Sequence, residues 1–557
     1  MTETDDFGIL LTRAAVDAPR LHFPDNPWVG IPIGLMYLDS ALKLAGGFRP
    51  KILDAMAYPD FARIRRKDSD GRFGLTDAEF LREVRVFKPK LICFTVVAGR
   101  YLPDTIRAIR LIREIDPDVF IIAGGHDVTA RPQEYLYSDA GLNAVVVGEG
   151  EEAIVALAGA LKEGRDWREI SGLAFMDDEG RIKKNPSKAI HELDRFVLDF
   201  EAIRLEQYFE LYRQGFGGRK NISLAGNHRT VFITTSRGCP YPCQFCSIYQ
   251  TMGRRMRYHS PEYVLELIER LVKRYGVNHV HFEDDHLTAD RKRFVAILEG
   301  IVARGLKITW DTPNGVRADS FDEELLALCK RSGCIYLMFG VESGDQQVLD
   351  KIIRKHLDLK VLERTLATCK KLGIDTMSLY MIGLPGETKA QIRQTTRFAF
   401  RMMRKYDTIP FLSLFKPFYD TPLYHTSKEG KFLVDYDKEE RRPDIPDMLF
   451  TPLMIETPEF TVEHLSATYR RYMVKLGWLA TLQWMWITGR RNPWLLAKML
   501  GQFAGLAIRH VKSRNQFDKL TYDFFWGAMI FPKAMLERRK RLQWWLYDRS
   551  GPESASG

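Results

Sequence analysis

"TVFITTSRGCPYPCQFCSIY", residues 230–249, starts as a strand and ends as a loop carrying three cysteines, Cys239, Cys243 and Cys246. Its first seven residues are β-branched or aromatic apart from one serine, the composition of a buried strand. The chain has 7 cysteines. The other four, Cys93, Cys329, Cys334 and Cys369, stand singly among apolar or helical residues, where free cysteine is expected as core filler. An odd, clustered set argues against a disulfide framework and for a reducing compartment. A zinc knuckle needs a second ligand pair, and no second CxxC exists here. A thioredoxin-like pair leaves Cys239 without a role. Three thiolates in one loop can hold three irons of a [4Fe–4S] cluster and leave the fourth iron open. An open position is what separates a catalytic metal from a structural one.

Outward from this loop, apolar strand runs alternate with amphipathic helical stretches. Downstream come "HVHFEDD" (279–285), "ITWDTPNG" (308–315), "IYLMFGVES" (335–343), "TMSLYMIGLPGE" (376–387) and "PFLSLFKPF" (410–418), with helices such as 262–274 and 322–332 between them. Six consecutive βα units predict a partial or full β/α barrel with its chemistry at the C-terminal mouth of the strands. Upstream, "FGILL" (7–11), "PKILDA" (50–55), "PKLICFTVV" (89–97), "VFIIAGG" (119–125) and "AVVVGEG" (144–150) alternate with helices such as 103–115. That pattern predicts a doubly wound parallel sheet, whose ligands sit beyond the carboxyl ends of the strands. Flexible residues stand there: Thr95 to Gly99, then Gly124, Gly125 and His126, then Gly148, Glu149 and Gly150. None has the GxGxxG spacing, so a dinucleotide is not favoured. "ISGLAFMDDEGRIKKNP" reads as a hairpin around an Asp-Glu-Gly turn, inside a connector at 166–225.

The cysteine spacing Cys239-x3-Cys243-x2-Cys246, with Phe245 before the third cysteine, resembles the signature of the radical S-adenosylmethionine (SAM) enzymes. "HFEDDHLT" (281–288), "FGVESGDQQVLD" (339–350), "MIGLPGET" (381–388), "GGHDVTARP" and "VVGEGEEA" resemble the branch that also binds cobalamin. This branch includes the radical SAM methyltransferases and proteins similar to the anaerobic Mg-protoporphyrin monomethyl ester cyclase. The resemblance covers about residues 5–430. It implies an α/β chain with a Rossmann-like cobalamin-binding domain (1–165), the connector, a radical SAM (β/α)6 partial barrel (226–430) and a mostly α-helical C-terminal domain (431–557). It implies that Cys239, Cys243 and Cys246 ligate a [4Fe–4S] cluster and that Phe245 packs near adenine. Glu283, Asp284 and Asp285 then contact the SAM amino group, and Glu342 and Ser343 its ribose or carboxylate. The backbone of Ile382, Gly383, Gly386 and Glu387 lines the adenine. Thr95, Gly124, Gly125, His126, Gly148, Glu149 and Gly150 face cobalamin. The Asp-x-His-x-x-Gly segment that supplies a lower axial histidine elsewhere is missing, so His126 is expected as a polar contact to the corrin. The turn "PFYDTPLY" (417–424) has Asp420 where the family more often has glycine.

The activity implied is radical chemistry through a 5′-deoxyadenosyl radical and methylcobalamin, with C-methylation of an unactivated carbon on a hydrophobic substrate as the leading expectation. Cobalamin-dependent cyclisation or oxidation without methyl transfer is the alternative within the family, and a non-catalytic cobalamin and cluster sensor is the alternative outside it. No residue is assigned a catalytic role beyond cofactor binding. The expected partners are a small hydrophobic substrate and a reductant such as flavodoxin or ferredoxin.

The net charge of +10 is uneven: residues 471–550 hold 15 Lys/Arg against 4 Asp/Glu, and 7 of the 10 tryptophans. Tryptophan and basic residues beside short apolar runs, "LGWLATLQWMWITG" (476–489), "FFWGAMIFP" (524–532) and "KAMLERRKRLQWWLYDR" (533–549), make the composition of an interfacial segment. The competing expectation is a helical lid packed on the barrel. No nucleic-acid module is recognisable. The N-terminus lacks a secretory signal, and no apolar run is long enough to span a bilayer. The expected location is the cytoplasm, with peripheral contact at the inner face of the membrane.

Overall fold

The computed structural model describes residues 7–17, 29–57, 72–213, 229–435 and 453–491, with single helical positions as far as 508. Two compact units divide the chain, residues 1–218 with 229–462, and 219–228 with 463–557.

In the larger unit, the first sheet holds β1 (Phe7–Arg13), β2 (Phe48–Asp54), β3 (Leu91–Thr95), β4 (Phe120–Gly124) and β5 (Ala144–Val146), followed by β6 (Leu173–Met176) and β7 (Ile182–Lys184). The spatial order is β2-β1-β3-β4-β5-β6-β7. The first five strands are parallel, and β6 and β7 pair antiparallel. Alternate residues explain why both faces are covered. Leu10, Ile92, Phe94 and Ile121 enter one hydrophobic core, while Ile9, Leu11, Cys93 and Ile122 enter the other. The hairpin predicted within the connector forms, but it extends this sheet as an antiparallel edge. Strand order reverses between β1 and β3, and ligands of open α/β sheets lie at such a switch point.

The second sheet contains β8 (Thr230–Ile233), β9 (His279–Phe282), β10 (Thr309–Val316), β11 (Cys334–Glu342), β12 (Asp375–Ile382) and β13 (Ile409–Leu414). All are parallel and follow one another in sequence order, an open (β/α)6 barrel. Helices Pro261–Tyr275, Arg291–Ala303, Glu323–Arg331, Leu359–Leu372 and Lys389–Tyr406 lie between strands. Several start on side-chain caps: Asp290 accepts from the Arg293 N–H, Asp322 from Leu325, and Thr388 with Gln391 forms a capping box. Cys93, Cys329, Cys334 and Cys369 are buried, as expected of filler.

At the start of the barrel strands sits a buried polar group. His281 is hydrogen-bonded to Asp311, His279 to Thr309 at 2.7 Å, and Phe232 stacks on His281 at 4.6 Å. Their neighbour Phe282 instead packs edge-on against Trp310, which meets Phe294 of the surrounding helix layer, so strand alternation turns the histidines to the lumen.

In the smaller unit one helix, Val462–Arg491, includes the apolar run 476–489. No helix among the described residues is long and apolar enough to cross a membrane. The apolar run 524–532 and the basic run 533–549 lie outside the described residues.

Candidate cofactor site

The three cysteines occupy an excursion that leaves and re-enters a two-residue antiparallel ladder, Ser236↔Tyr258 and Arg237↔Arg257. Gly238 begins it at φ 93°, and a Cβ there would stand 2.5 Å from the Arg255 carbonyl oxygen, so only glycine fits. The Cys239 N–H donates to Gly253 O at 3.2 Å, and the Gln244 N–H to Ile353 O at 3.0 Å. Gln244 O accepts from the Leu423 N–H at 3.1 Å. Pro240 and Pro242 add rigidity. All three thiols are free and half-buried, and Phe245 is half-buried among them in sequence. Burial raises the pKa of Cys239 and Cys243 and pushes Cys246 up to about 12. Lys355 and Arg317 oppose the rise at the first two. Metal binding at these sulfurs therefore displaces protons.

Neither Lys355 nor Arg317 is marked by any sequence motif. Lys355 follows a π-helical turn, Val348–Ile353, and its Nζ lies 2.9 Å from Glu342 Oε1. Arg317 stands over the Tyr241 ring at 3.9 Å, and His286 meets the same ring edge-on at 5.2 Å. Only tertiary contact brings these cations to the loop.

The run Glu283-Asp284-Asp285 divides into three roles. Asp284 is buried, and its Oδ1 accepts from the Thr235 N–H at 3.0 Å, Thr235 Oγ1 at 2.8 Å and Ser236 Oγ at 2.5 Å. It ties the end of β8 to the end of β9. Asp285 points the other way and accepts from the Gly238 N–H at 3.3 Å. Burial pushes its carboxyl up to about 7. Glu283 is half-buried, and its carbonyl oxygen accepts from the Asn314 side chain at 2.7 Å.

Glu342 ends β11 at φ 74°, a conformation that non-glycine residues adopt only under constraint, and it is buried against Lys355. Ser343 Oγ is hydrogen-bonded to Thr395 Oγ1 at 3.0 Å and accepts from the Asp345 N–H at 3.1 Å. After Ile382 the chain turns through Gly383 (φ 90°) and Gly386 (φ 86°). Glu387 folds back and accepts from the N–H groups of Gly383 at 2.7 Å and Leu384 at 3.1 Å. Its Oε1 is buried without a hydrogen-bond partner among the described residues, and burial pushes its pKa up to about 7. Thus the Glu387 carboxylate shapes the loop, and backbone is left facing outward. Asp420 adopts φ 59°, the left-handed geometry of the glycine it replaces, and Tyr249 OH donates to its carbonyl oxygen at 3.1 Å.

At the edge of the first sheet, Thr95, Gly124, Gly125, Gly148 and Gly150 are all partly accessible, and Val97 is 46% exposed beside them. Gly125 has φ 114°, and a Cβ there would lie 2.5 Å from Val96 O. His126 Nδ1 is hydrogen-bonded to Thr251 Oγ1 at 2.9 Å, five residues past Cys246. Glu149 is buried, held by Arg237 at 2.8 Å and by Arg257. Its side chain therefore faces the barrel, a placement its sequence motif did not signal. The Rossmann-edge loops and the cysteine loop are thereby brought together in one region.

His279, His281 and Asp311 also bring ligand-type atoms within 4.8 Å of one another. Hydrogen bonds among them and to Thr309 account for that cluster.

Three free thiols thus share one loop at the barrel mouth, beside the carboxyl edge of a doubly wound sheet. The Radical SAM superfamily model matches residues 233–399, and the B12 binding domain model matches residues 28–158. The chain thus carries both a radical SAM domain and a B12-binding domain, as the cobalamin radical SAM methyltransferases and Mg-protoporphyrin cyclases it resembles do. It is 28% identical over 372 residues to an uncharacterized methyltransferase, PH0819, of Pyrococcus horikoshii, covering 66% of this chain and 73% of that one. It is 26% identical over 375 residues to the anaerobic magnesium-protoporphyrin IX monomethyl ester cyclase of Rubrivivax gelatinosus, covering 65% and 64%. With the hopanoid C-3 methylase of Methylococcus capsulatus it shares 26% over 413 residues, 74% of each chain. The fold is that of the radical SAM methyltransferase TsrM from Kitasatospora setae, solved with cobalamin and a [4Fe–4S] cluster, at TM-score 0.63 and 19% identity over 85% of this chain and 88% of that one. The family's cofactors are a [4Fe–4S] cluster, SAM and cobalamin. The donor set fits the cluster: three soft sulfur ligands in one loop suit iron, and partly accessible glycines at the sheet edge leave backbone open to a large ligand.

Proposed function

We propose that the protein is a C-methyltransferase acting on an unactivated carbon of a hydrophobic small molecule. The observation that carries this reading is the meeting of the two loop sets. The segment following the cysteines is hydrogen-bonded to His126 and paired with Glu149, so the two cofactor regions share one mouth. When bound, the cluster with SAM supplies a one-electron route to a carbon-centred radical, and cobalamin supplies a methyl group.

The chain's own residues hold and exclude. Cys239, Cys243 and Cys246 would hold the cluster, which would supply the electron for SAM cleavage. Gly383 and Gly386 allow backbone to approach the adenine, and Phe245 forms a wall. Glu283 and Asp285 would supply carboxylates for an amino group, while Asp284 is engaged with the strand ends. Lys355 beside Glu342 offers a cation for a carboxylate near the cysteines. Val97 presents an apolar surface to the corrin side. Tyr419 stacks under Arg131 at 4.7 Å and closes the substrate-side loop against the first domain.

The relatives support methyl transfer to lipid-like carbon, since one of them is named a hopanoid C-3 methylase. The cyclase relatives favour the second reading, cobalamin-assisted oxidation of a tetrapyrrole. Electron delivery would come from a small reductant such as flavodoxin or ferredoxin. The basic, tryptophan-rich C-terminal region would bring the protein to an anionic membrane where such a substrate resides. Anaerobic reconstitution with methyl-labelled SAM and reductant tests the proposal. The expected result is 5′-deoxyadenosine together with label in the product. Deoxyadenosine without transferred label would select the cyclase reading, and no deoxyadenosine at all would defeat both.

A further inference from the structure

Four charged side chains at the neck of the cysteine excursion form a closed set, and no cofactor-binding role explains them. Arg237 Nη1 donates to Glu149 Oε1 at 2.8 Å, and Arg237 Nη2 to Glu151 Oε1 at 2.6 Å. Arg257 donates to the other oxygen of Glu149 and to Ile190 O at 2.7 Å. The Ile190 N–H donates to Glu149 Oε2 at 2.8 Å, and Arg257 Nη2 donates to Met252 O at 2.6 Å. The four side chains are only 2–6% exposed. Two positive and two negative charges are thus removed from water together, with Arg237 bridging the two glutamates and Glu149 bridging the two arginines.

The location is what gives the set a consequence. Arg237 and Arg257 face each other across the ladder from which the three cysteines depart, and Arg237 is two residues before Cys239. Glu149 lies between Gly148 (φ 87°) and Gly150, in the loop whose backbone borders the edge of the first sheet. The Gly148 N–H donates to Thr129 Oγ1 at 3.0 Å, and His126 of the adjacent loop holds Thr251. The 148–151 loop is therefore fastened to both flanks of the cysteine excursion, and the His126 loop to the flank after the cysteines. A ligand that settles against the Gly148 backbone moves or fixes Glu149, and Glu149 cannot move without moving the neck. A fully buried charge cannot be released to water at small cost, so the link is stiff.

We infer that Glu149 and Glu151 are positioning residues that couple the two cofactor sites, each cofactor binding more tightly when the other is in place. This inference rests on the assignment of cobalamin to the Rossmann edge and of the cluster to the cysteines. Coupling of this kind is reciprocal and has a usual size of about 5–150-fold.

The test is equilibrium binding of hydroxocobalamin to the full chain, in cluster-free form and after anaerobic cluster reconstitution, in wild type and in E149Q. The expected result is at least about 5-fold tighter binding with the cluster in wild type, and a difference of less than about 2-fold in E149Q, which keeps the side chain's shape but loses its charge. In the reciprocal experiment, saturating hydroxocobalamin slows chelator removal of cluster iron in wild type and has no such effect in E149Q. A purely structural interface would alter stability and leave both ratios alone. Equal affinity of the two wild-type forms overturns the coupling, and an undiminished ratio in E149Q overturns its assignment to these residues. If E149Q does not fold, E151Q leaves Glu149 bridging both arginines and is expected to reduce the ratio partly; an unchanged ratio there overturns the inference. Absence of hydroxocobalamin binding to either wild-type form overturns the cofactor assignment and the coupling with it.

Discussion

The two ends of the barrel treat buried carboxylates in opposite ways. At the start of the strands, Asp311 sits among His281, His279 and Thr309, and those imidazoles outweigh its burial and hold its carboxyl well below the usual carboxylate range. At the mouth, burial pushes Asp285 and Glu387 up to about 7, where backbone N–H groups are their hydrogen-bond donors. The closed end satisfies its charge internally and fixes structure. At the mouth Asp285 and Glu387 stay under-compensated beside paired acids such as Glu342, the condition expected where a charged or polar ligand completes the site.

Breaking the mouth should therefore cost function first, and breaking the closed end should cost stability first. The largest effect is expected for C243S. Loss of one sulfur ligand should reduce bound iron and deoxyadenosine formation by more than the ~10–100-fold that outer-shell changes cost metal sites, while the thermal transition of the cluster-free protein stays near that of wild type. H281A should do the reverse, retaining iron by colorimetric assay and unfolding earlier. If H281A loses iron as completely as C243S, the two ends are not separable.

Next in size is D311A. Removing the carboxylate strands two imidazoles in a sealed layer, and breaking a buried pair in this way costs about 3–5 kcal/mol. Urea titration of the cluster-free protein measures it; a loss below 1 kcal/mol (roughly the value of a surface pair) would show that Asp311 is not the centre of that layer.

The third prediction uses pH. Glu387 has a folded pKa raised from 4.5 to about 7. The folded chain then keeps a proton that the unfolded chain has lost, so stability falls as pH rises between those values, by about 1.4 kcal/mol per unit at most. E387Q should flatten that limb of the stability profile. Asp311 has the opposite sign: its folded pKa is depressed, so its contribution is present above its ordinary value of 3.8 and is lost as pH falls below it. D311N should flatten only the acid limb. Identical changes in the two variants would erase the contrast between the ends.

Legibility in the sequence followed the same division. Strand periodicity and cysteine spacing are local, and they placed the barrel, the first sheet and the thiols where they are found. The mouth's acids were legible only as a group. Nothing in "FEDD" says that the middle carboxylate turns inward to Thr235 and Ser236, because that depends on a strand 48–49 residues away. Likewise "GEGEE" looked like a ligand loop, and its first glutamate is instead spent on arginines 88 and 108 residues downstream. Lys355 and Arg317 reach the cysteines from a π-helical turn and a strand end that share no motif. The hairpin within the connector forms as read, but which sheet it joins is a matter of edge pairing, which the local turn does not encode.

The smallest expected effect concerns the one departure from the family pattern at the mouth. Asp420 occupies a left-handed position, φ 59°, where a non-glycine residue pays about 1–2 kcal/mol, less for Asp because it hydrogen-bonds locally. Its carboxylate meets His425 Nε2 at 2.8 Å, an exposed pair that contributes little. D420G relieves the strain and loses that contact, and its extra chain entropy in the unfolded state offsets part of the gain. The net change should stay within about 1 kcal/mol. The loop itself is held by backbone: Tyr249 OH and the Gln250 side chain donate to the carbonyl oxygens of Asp420 and Tyr419 at 3.1 and 3.0 Å, which the substitution leaves in place. D420G should therefore keep its iron content, whereas Y249F, which removes a donor that spans from the cysteine excursion to the substrate-side loop, should raise KM for substrate without lowering iron. If D420G lowers iron content, the Asp420 side chain supports the cluster loop directly, and the mouth depends on side chains where its geometry shows backbone.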